Sequence, residues 1–328
     1  MLKYIISVVL SSTLFTASIA ETSEPANKVK KKGSKLAKVY GIDRPFWTPN
    51  RIGNYITNNG QLVSHIPTGS AGMEWPLGSG NHINFASGLW LAGMKDGEIV
   101  TAAAEFITEF QPGNVTGHAP GLAGTPANPE DKRFKVYIIN QGDELEPFRN
   151  PDYLNWPVEH GAPVDENGKP LLRGTSTAWA VFNDFNDSLH TNLFQSKPMG
   201  VEVQMTAWAF DRLDAFGDMM FFKFLFINKS GTDITDSFVT FWADIDIDDA
   251  LDLVGCDTTL SLGYMYKTQP SPGYGDNAPA IGYDFFQGPI VPSPGDTANV
   301  SGRKVPDFKN LGLTSFNKYI GPGPPQFS

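Results

Sequence analysis

Six aspartates fall within fourteen positions of one another: Asp244, Asp246, Asp248, Asp249, Asp252 and Asp257. Carboxylates this crowded repel one another, so they keep ordinary acidity only where a cation or a basic group balances them. Hard oxygen ligands converging from a loop are what Ca²⁺ takes, which makes these six residues a candidate calcium site. The EF-hand pattern fits only at its start. Asp244, Asp246 and Asp248 occupy its first, third and fifth positions, but Asp249 stands where glycine is required and Gly255 where a bidentate Glu belongs. Two other readings of the same residues stay open, a solvated acidic loop and a catalytic carboxylate pair.

Little else in the chain has reactive spacing. His65, His82, His118, His160 and His190 are scattered, with no zinc-type pair and no His-Glu-x-x-His run. The glycine-rich stretch 68–81 lacks the Gly-Lys-Ser/Thr ending of a phosphate loop, and no Gly-x-Ser-x-Gly elbow occurs. Cys256 is the single cysteine, so no intrachain disulfide can form. Its apolar setting, Leu253-Val254-Gly255, predicts a buried and unreactive thiol. Among seven tryptophans, Trp75 and Trp156 each precede a proline in a loop and are the candidates for a sugar-stacking platform. Trp179, Trp208 and Trp242 lie within apolar strands and read as core.

The elements that must position these residues are strands. Along 201–210, Val201, Val203 and Met205 alternate with Glu202, Gln204 and Thr206, the period of a half-buried strand. Residues 219–227 are almost wholly apolar and aromatic, as in a strand buried on both faces or central in its sheet. After the turn 228–233, a third strand over 238–248 puts Phe238, Thr240, Trp242, Asp244 and Asp246 on one face. Val239, Phe241, Ala243 and Ile245 take the other. Further strands are expected at 83–92 and 98–110, joined by the turn Lys95-Asp96-Gly97, and at 134–139, 178–183, 281–286 and 297–300. No solenoid repeat or sustained helical amphipathicity is visible. The expectation is an all-β protein, an antiparallel β-sandwich or jelly-roll-like fold with long irregular loops. The loops 111–131 and 141–172 exceed ordinary connections and read as decorations or a ligand-facing surface.

The 328 residues suffice for one large or two ordinary domains. Residues 1–39 hold seven lysines and two glutamates, leaving 18 basic against 33 acidic residues in the rest, a balance of −15. Such a body repels nucleic-acid phosphates and argues against that partner. Lys3, the apolar run 4–15 and the small-residue site Ser18-Ile19-Ala20 form a signal-peptide pattern at residues 1–20. No other stretch is long and apolar enough to span a membrane. Residues 21–39 read as a basic disordered linker, 40–318 as the β-rich domain with a possible division near 140–175, and 319–328 as the start of a linker or a truncated end.

Several blocks together resemble the N-terminal region of large exported Bacteroidota-type proteins. They are GMEWPLGSGNHINFASGLWLAGMKDGEIVTAAAEFITEFQPG at 72–113, NPDYLNWPVEHGAPVDENGKP at 150–170, FFKFLFINKSG at 221–231, LVGCDTTLSLGY from Leu253, YDFFQGPIVPSPGD at 283–296 and SGRKVP at 301–306. Proteins of that sort often carry later β-sandwich repeats and a C-terminal type IX secretion sorting domain. The resemblance implies an exported, extracellular or surface-associated protein, periplasmic if it goes no further, and carries no catalytic residue over. Two functions are expected from the whole. One is a non-catalytic exported β-sandwich module of a larger cell-surface or secreted protein, Ca²⁺-stabilised, with surface polysaccharide or other surface proteins as partners. The other is a polysaccharide-active enzyme or a carbohydrate-binding domain.

Overall fold

The computed structural model describes residues 3–13, 38–65, 69–249, 251–300, 302–318 and 326–327. Most of the expected linker at 21–39 and most of the expected end segment at 319–328 lie outside the described residues, as does the cleavage site at Ser18–Ala20. The fold is all-β. Its principal strands, in chain order, begin with β1 (Lys3–Thr13), β2 (Gln61–Val63), β3 (Ala86–Lys95) and β4 (Glu98–Ala103). Then come β5 (Tyr137–Asn140), β6 (Ser176–Asn183), β7 (Val201–Ala209), β8 (Met219–Asn228) and β9 (Thr235–Asp244). The series closes with β10 (Leu253–Asp257), β11 (Leu262–Tyr266), β12 (Ala280–Gln287), β13 (Ile290–Val300) and β14 (Arg303–Asn310).

Two sheets face each other. The larger runs in the order β5-β6-β7-β8-β1-β12-β11-β10, every neighbour antiparallel. The smaller is built on β3, which pairs with β9 on one side and with β2 and β4 on the other. The three strands of 201–248 are therefore split between sheets. β7 and β8 form a hairpin in the large sheet, while β9 crosses to the small one and pairs with β3 in the register Phe241↔Leu89. Alternation holds along β9 as the pattern predicts: Val239, Phe241 and Ala243 pack on the core, with Ile245 and Ile247 buried beyond the strand end, while Phe238 is exposed.

β8 is the central wall of the sandwich. Met220, Phe222, Phe224 and Phe226 are buried, and Met219, Phe221, Lys223 and Leu225 on the opposite face are half-buried. Phe224 stacks along its own strand on Phe222 and Phe226, with ring centroids 6.3 and 6.1 Å away. Across the sandwich it meets Phe241 of β9 at 5.6 Å, and Phe241 in turn meets Phe285 of β12 at 5.1 Å. Aromatic rings of this size bury large areas and fix the spacing of the sheets.

β6 is buried at all eight positions, so both of its faces are covered. Ala178, Ala180 and Phe182 belong to the main core. Trp179 and Val181 face a second cluster with Phe134, Tyr137, Ile139, Trp156 and Ala162, against which Tyr153 and Leu172 pack. The long loop 141–172 is thus largely a cover for the outer face of β5 and β6. That explains its length without a ligand.

Local chemistry sets the turns. β3 and β4 form the expected hairpin, Lys95 opposite Glu98, with Asp96 at φ 53° and Gly97 at φ 80°. Two consecutive left-handed residues make the primed turn whose twist suits a hairpin, and glycine takes one of them without steric cost. The short strand expected at 297–300 is longer, and pairs with β14, which the pattern missed. Its register breaks between Pro292 and Thr297, where Pro294 and Gly295 interrupt the alternation by which strands are read. The apolar run at the N-terminus is seen here as strand β1, in the middle of the large sheet.

Because Phe224 touches both sheets and is fully buried, Phe224→Ala should cost about 3–5 kcal/mol of stability. Urea unfolding of the two proteins measures this, and a loss below about 1 kcal/mol would show that the inter-sheet ring contact is not central.

Candidate functional site

The aspartates of 244–257 do not act as one cluster. Asp244 ends β9 opposite Ala86. Asp248 sits at φ 69°, its N–H donating to the His82 carbonyl at 3.0 Å and its carboxylate accepting from the Gly273 N–H. Asp252 reaches back to accept from the Ile247 N–H at 3.1 Å. Asp257 is tied to its own turn, accepting from the Thr259 N–H at 2.9 Å, the Thr259 hydroxyl at 2.6 Å and the Leu260 N–H at 3.2 Å. Among the described residues no group of three or more His, Cys, Asp or Glu side chains is placed to hold a metal ion.

Lys267 pairs with Asp249 and acts electrostatically on Asp246 and Asp252. Its side chain is 1 % exposed and its ammonium donates to Asp249. Burial acts to raise the Asp249 carboxyl, but the Lys267 bond and the Leu251 N–H outweigh it and hold the group below the usual range. Burial and then Asp249 push Asp246 up, with Lys267 opposing. Burial lifts Asp252 to about 7, against the Ile247 N–H and Lys267. Asp244 is raised by burial and by Asp246, with no basic group among the causes. A fixed ammonium thus pairs with Asp249 and opposes the rise of Asp246 and Asp252. Lys267 carries no motif, so sequence spacing gave no sign of it.

The two expected platform tryptophans are not laid out as a platform. Trp156 is buried in the second core cluster, its indole N–H donating to the Pro163 carbonyl at 2.9 Å, because the loop that bears it folds onto β5 and β6. Trp75 is half-buried against the main core. Its N–H donates to Asp218 Oδ1 at 2.8 Å, an oxygen that also accepts from Arg51 Nε at 2.8 Å.

An aromatic surface does exist, on the outer face of the large sheet. Trp208 of β7 stacks on Phe221 of β8 with centroids 5.5 Å apart and planes 10° apart. Phe221 continues to Phe286 of β12 at 6.3 Å and 16°, and to Phe216 at 6.2 Å and 21°. Phe210 closes the group edge-on to Phe216 and Phe221. The Arg173 guanidinium lies over the Trp208 ring, 5.5 Å from its centroid. Phe286 is 61 % and Phe216 43 % exposed. Trp208, Phe221 and Phe286, with Gln287, Asn299 and Asn310, line a shallow groove of about 400 Å³ between the sheet and the β13–β14 hairpin. The expectation that Trp208 is core is corrected: period-2 alternation places it on the outer face, opposite buried Ala207 and Ala209. That alternation was the available signal.

A third polar group is closed to any substrate. Asp184 is fully buried and accepts from the N–H groups of Met199, Gly200 and Val201 at 2.6, 3.0 and 2.6 Å. Glu109, equally buried, accepts from Ala103, Leu193 and Phe194 at 3.1, 3.2 and 3.0 Å. His190 lies between them, Nε2 at 2.8 Å from the Asp184 carbonyl and Nδ1 at 3.9 Å from Glu109 Oε2. Burial pushes both carboxyls up. These groups anchor backbone. Cys256, expected buried, is half-buried in β10 near the sheet edge, and burial with Asp257 raises its thiol, which disfavours the thiolate.

Asp252 gives a signed pH test. Its folded pKa of about 7 lies above an unfolded value of about 3.9, so the fold prefers the protonated carboxyl. The stability this confers is full below about pH 4 and is lost as pH rises through about 7. Asp252→Asn keeps an acceptor for Ile247 and removes the titration. It should stabilise the protein by about 1–2 kcal/mol at pH 8, after discounting for solvent screening, and by nothing at pH 4. Urea melts at both pH values decide, and an equal effect at both would refute the assignment.

No family model, curated protein or solved structure matches the chain, so the geometry of these residues carries the functional argument.

Proposed function

We propose that the chain is a non-catalytic, exported β-sandwich module of a larger cell-surface or secreted protein, and that its outer aromatic face binds carbohydrate. The observation that carries this is the groove lined by Trp208, Phe221, Phe286, Gln287, Asn299 and Asn310. Flat aromatic faces take the C–H faces of sugar rings, and side-chain amides offer both donors and acceptors to hydroxyls. The lining contains no carboxylate. A glycosidase needs two, about 5–10 Å apart across the bond, so the groove favours binding over hydrolysis. Export is supported by the leader-like N-terminus, by the acidic body and by the resemblance of blocks such as 72–113 to exported Bacteroidota-type proteins.

Phe286 is exposed, so Phe286→Ala should leave stability within about 0.5 kcal/mol of the parent. The same change should weaken binding to a recognised polysaccharide about tenfold, and Trp208→Ala at least as much. Affinity electrophoresis across a panel of soluble glucans, mannans, xylans and chitosan reads this out. Retardation by none of them, or retardation unchanged in both variants, would sink the carbohydrate reading.

Calcium belongs to the same proposal, through Asp244 and Asp246. Burial raises both carboxyls, with Asp246 adding to the rise of Asp244 and Asp249 to that of Asp246, and a bound divalent cation would relieve that repulsion. Millimolar CaCl₂ added after chelation should therefore raise Tm more than NaCl of equal ionic strength, and Asp244→Asn should abolish the difference. Equal effects of the two salts would remove calcium from the proposal.

A further inference from the structure

Strand β1 lies between β8 and β12 and is antiparallel to both. Lys3 to Ser11 pair with Ile227 to Met219 on one side, and Ser7 to Thr13 with Gln287 to Ala280 on the other. β8 and β12 therefore run in the same direction, one strand's width apart. The segment that fills the space between them is also the apolar run that reads as a removable leader. Both roles hold in one mature molecule only if something replaces β1 after cleavage.

The slot it would leave is well defined. Its walls are Met219–Ile227 and Ala280–Gln287, each losing the hydrogen-bond partners of one edge. Buried Phe222 and Phe224 of one wall and Ile281 and Tyr283 of the other face the main core beside it. Backbone N–H and C=O groups left without partners next to an apolar core are costly, and an open strand edge is a template for another chain. The walls cannot restore the antiparallel ladder by closing on each other, because they are parallel. The segment that follows the cleavage site, 21–38, is lysine-rich and without aromatics, unlike the apolar strand now in place.

We infer that, after leader removal, this slot accepts an extended apolar strand of roughly nine residues donated by a partner exported protein, lying antiparallel to β8 and β12. Main-chain bonds to both walls supply affinity, and apolar side chains at every second position meet the core. The sequence of β1 and its pairing with both walls define that chemistry. Phe221 and Phe286 stack across the same slot, so the donated strand also sets the floor of the aromatic groove. The inference rests on the export reading, which the test checks separately.

The full chain is expressed with its leader in an exporting Gram-negative host, and its N-terminus is read by intact mass. A peptide of sequence KYIISVVLSST, made soluble by a C-terminal lysine tag, is then added. A control peptide carries proline at the positions of Ile6 and Val8 and cannot complete the ladder. The expected result is cleavage after Ala20, followed by peptide-induced protection from hydrogen exchange at both 219–227 and 280–287. Tm should rise by about 5 °C at a hundredfold excess over Kd, with no response to the control. An uncleaved N-terminus would overturn the export reading and the inference together, β1 being a permanent strand. Cleavage without protection of either wall would overturn the inference alone. Walls already protected in a dimer of the cleaved chain would replace the partner by a second copy and overturn it as stated.

Discussion

The ring contacts from Phe224 through Phe241 to Phe285 set the distance between the two sheets, and much of the architecture follows from that spacing. A large aromatic side chain at this point holds the sheets apart by its own thickness, so the facing positions must be filled to match. On the small sheet they are Leu89, Leu91, Ala102 and Val239; on the large sheet, Met205, Ala207 and Phe222. Gly88 marks where no filling is tolerated, since a Cβ there would lie 1.9 Å from the Ala104 carbonyl oxygen. The same contact explains why β9 leaves the β7–β8 hairpin for the opposite sheet. Phe241 can cover Phe224 only from across the core.

Ionisable groups in this protein mostly serve its loops. Asp184 and Glu109 each gather three backbone N–H groups, two from a connecting segment and one from a strand end (Val201 and Ala103), and so tie loops to the sheets with a carboxylate. Asp218 holds Arg51 and Trp75 together and ties the segment after residue 50 to the start of β8. The 246–252 loop is held in a related way, with Asp249 paired to the buried Lys267 and Asp252 accepting from the Ile247 N–H. An acidic stretch can thus be conspicuous in sequence and still be occupied with holding its own loop.

Strands whose side chains alternate, such as β7 and β9, were legible, because a two-residue period survives in any context. So was the β3–β4 hairpin, where Asp96-Gly97 can do little but turn. The partition of strands between sheets was not legible, since pairing depends on residues far apart in the chain. Trp156 and Trp208 exchanged their expected roles for a related reason. A loop tryptophan is exposed only if the loop has nothing to cover, and this one covers β6. A strand tryptophan is core only on the inner face, and Trp208 is on the outer. Lys267 was invisible because an isolated lysine acquires meaning only from the acids that fold around it.

The placement of β1 has a consequence in time. Lys3 pairs with Ile227 and Thr13 with Ala280, so β1 waits for partners made roughly two hundred residues or more later. At ordinary synthesis speeds that wait lasts about 10–50 s. Through that interval the segment is an apolar stretch without either of its sheet neighbours. The order in which the chain is made therefore delays the large sheet: β1 precedes both of its neighbours and can be claimed only when the later of them, β12, has been made.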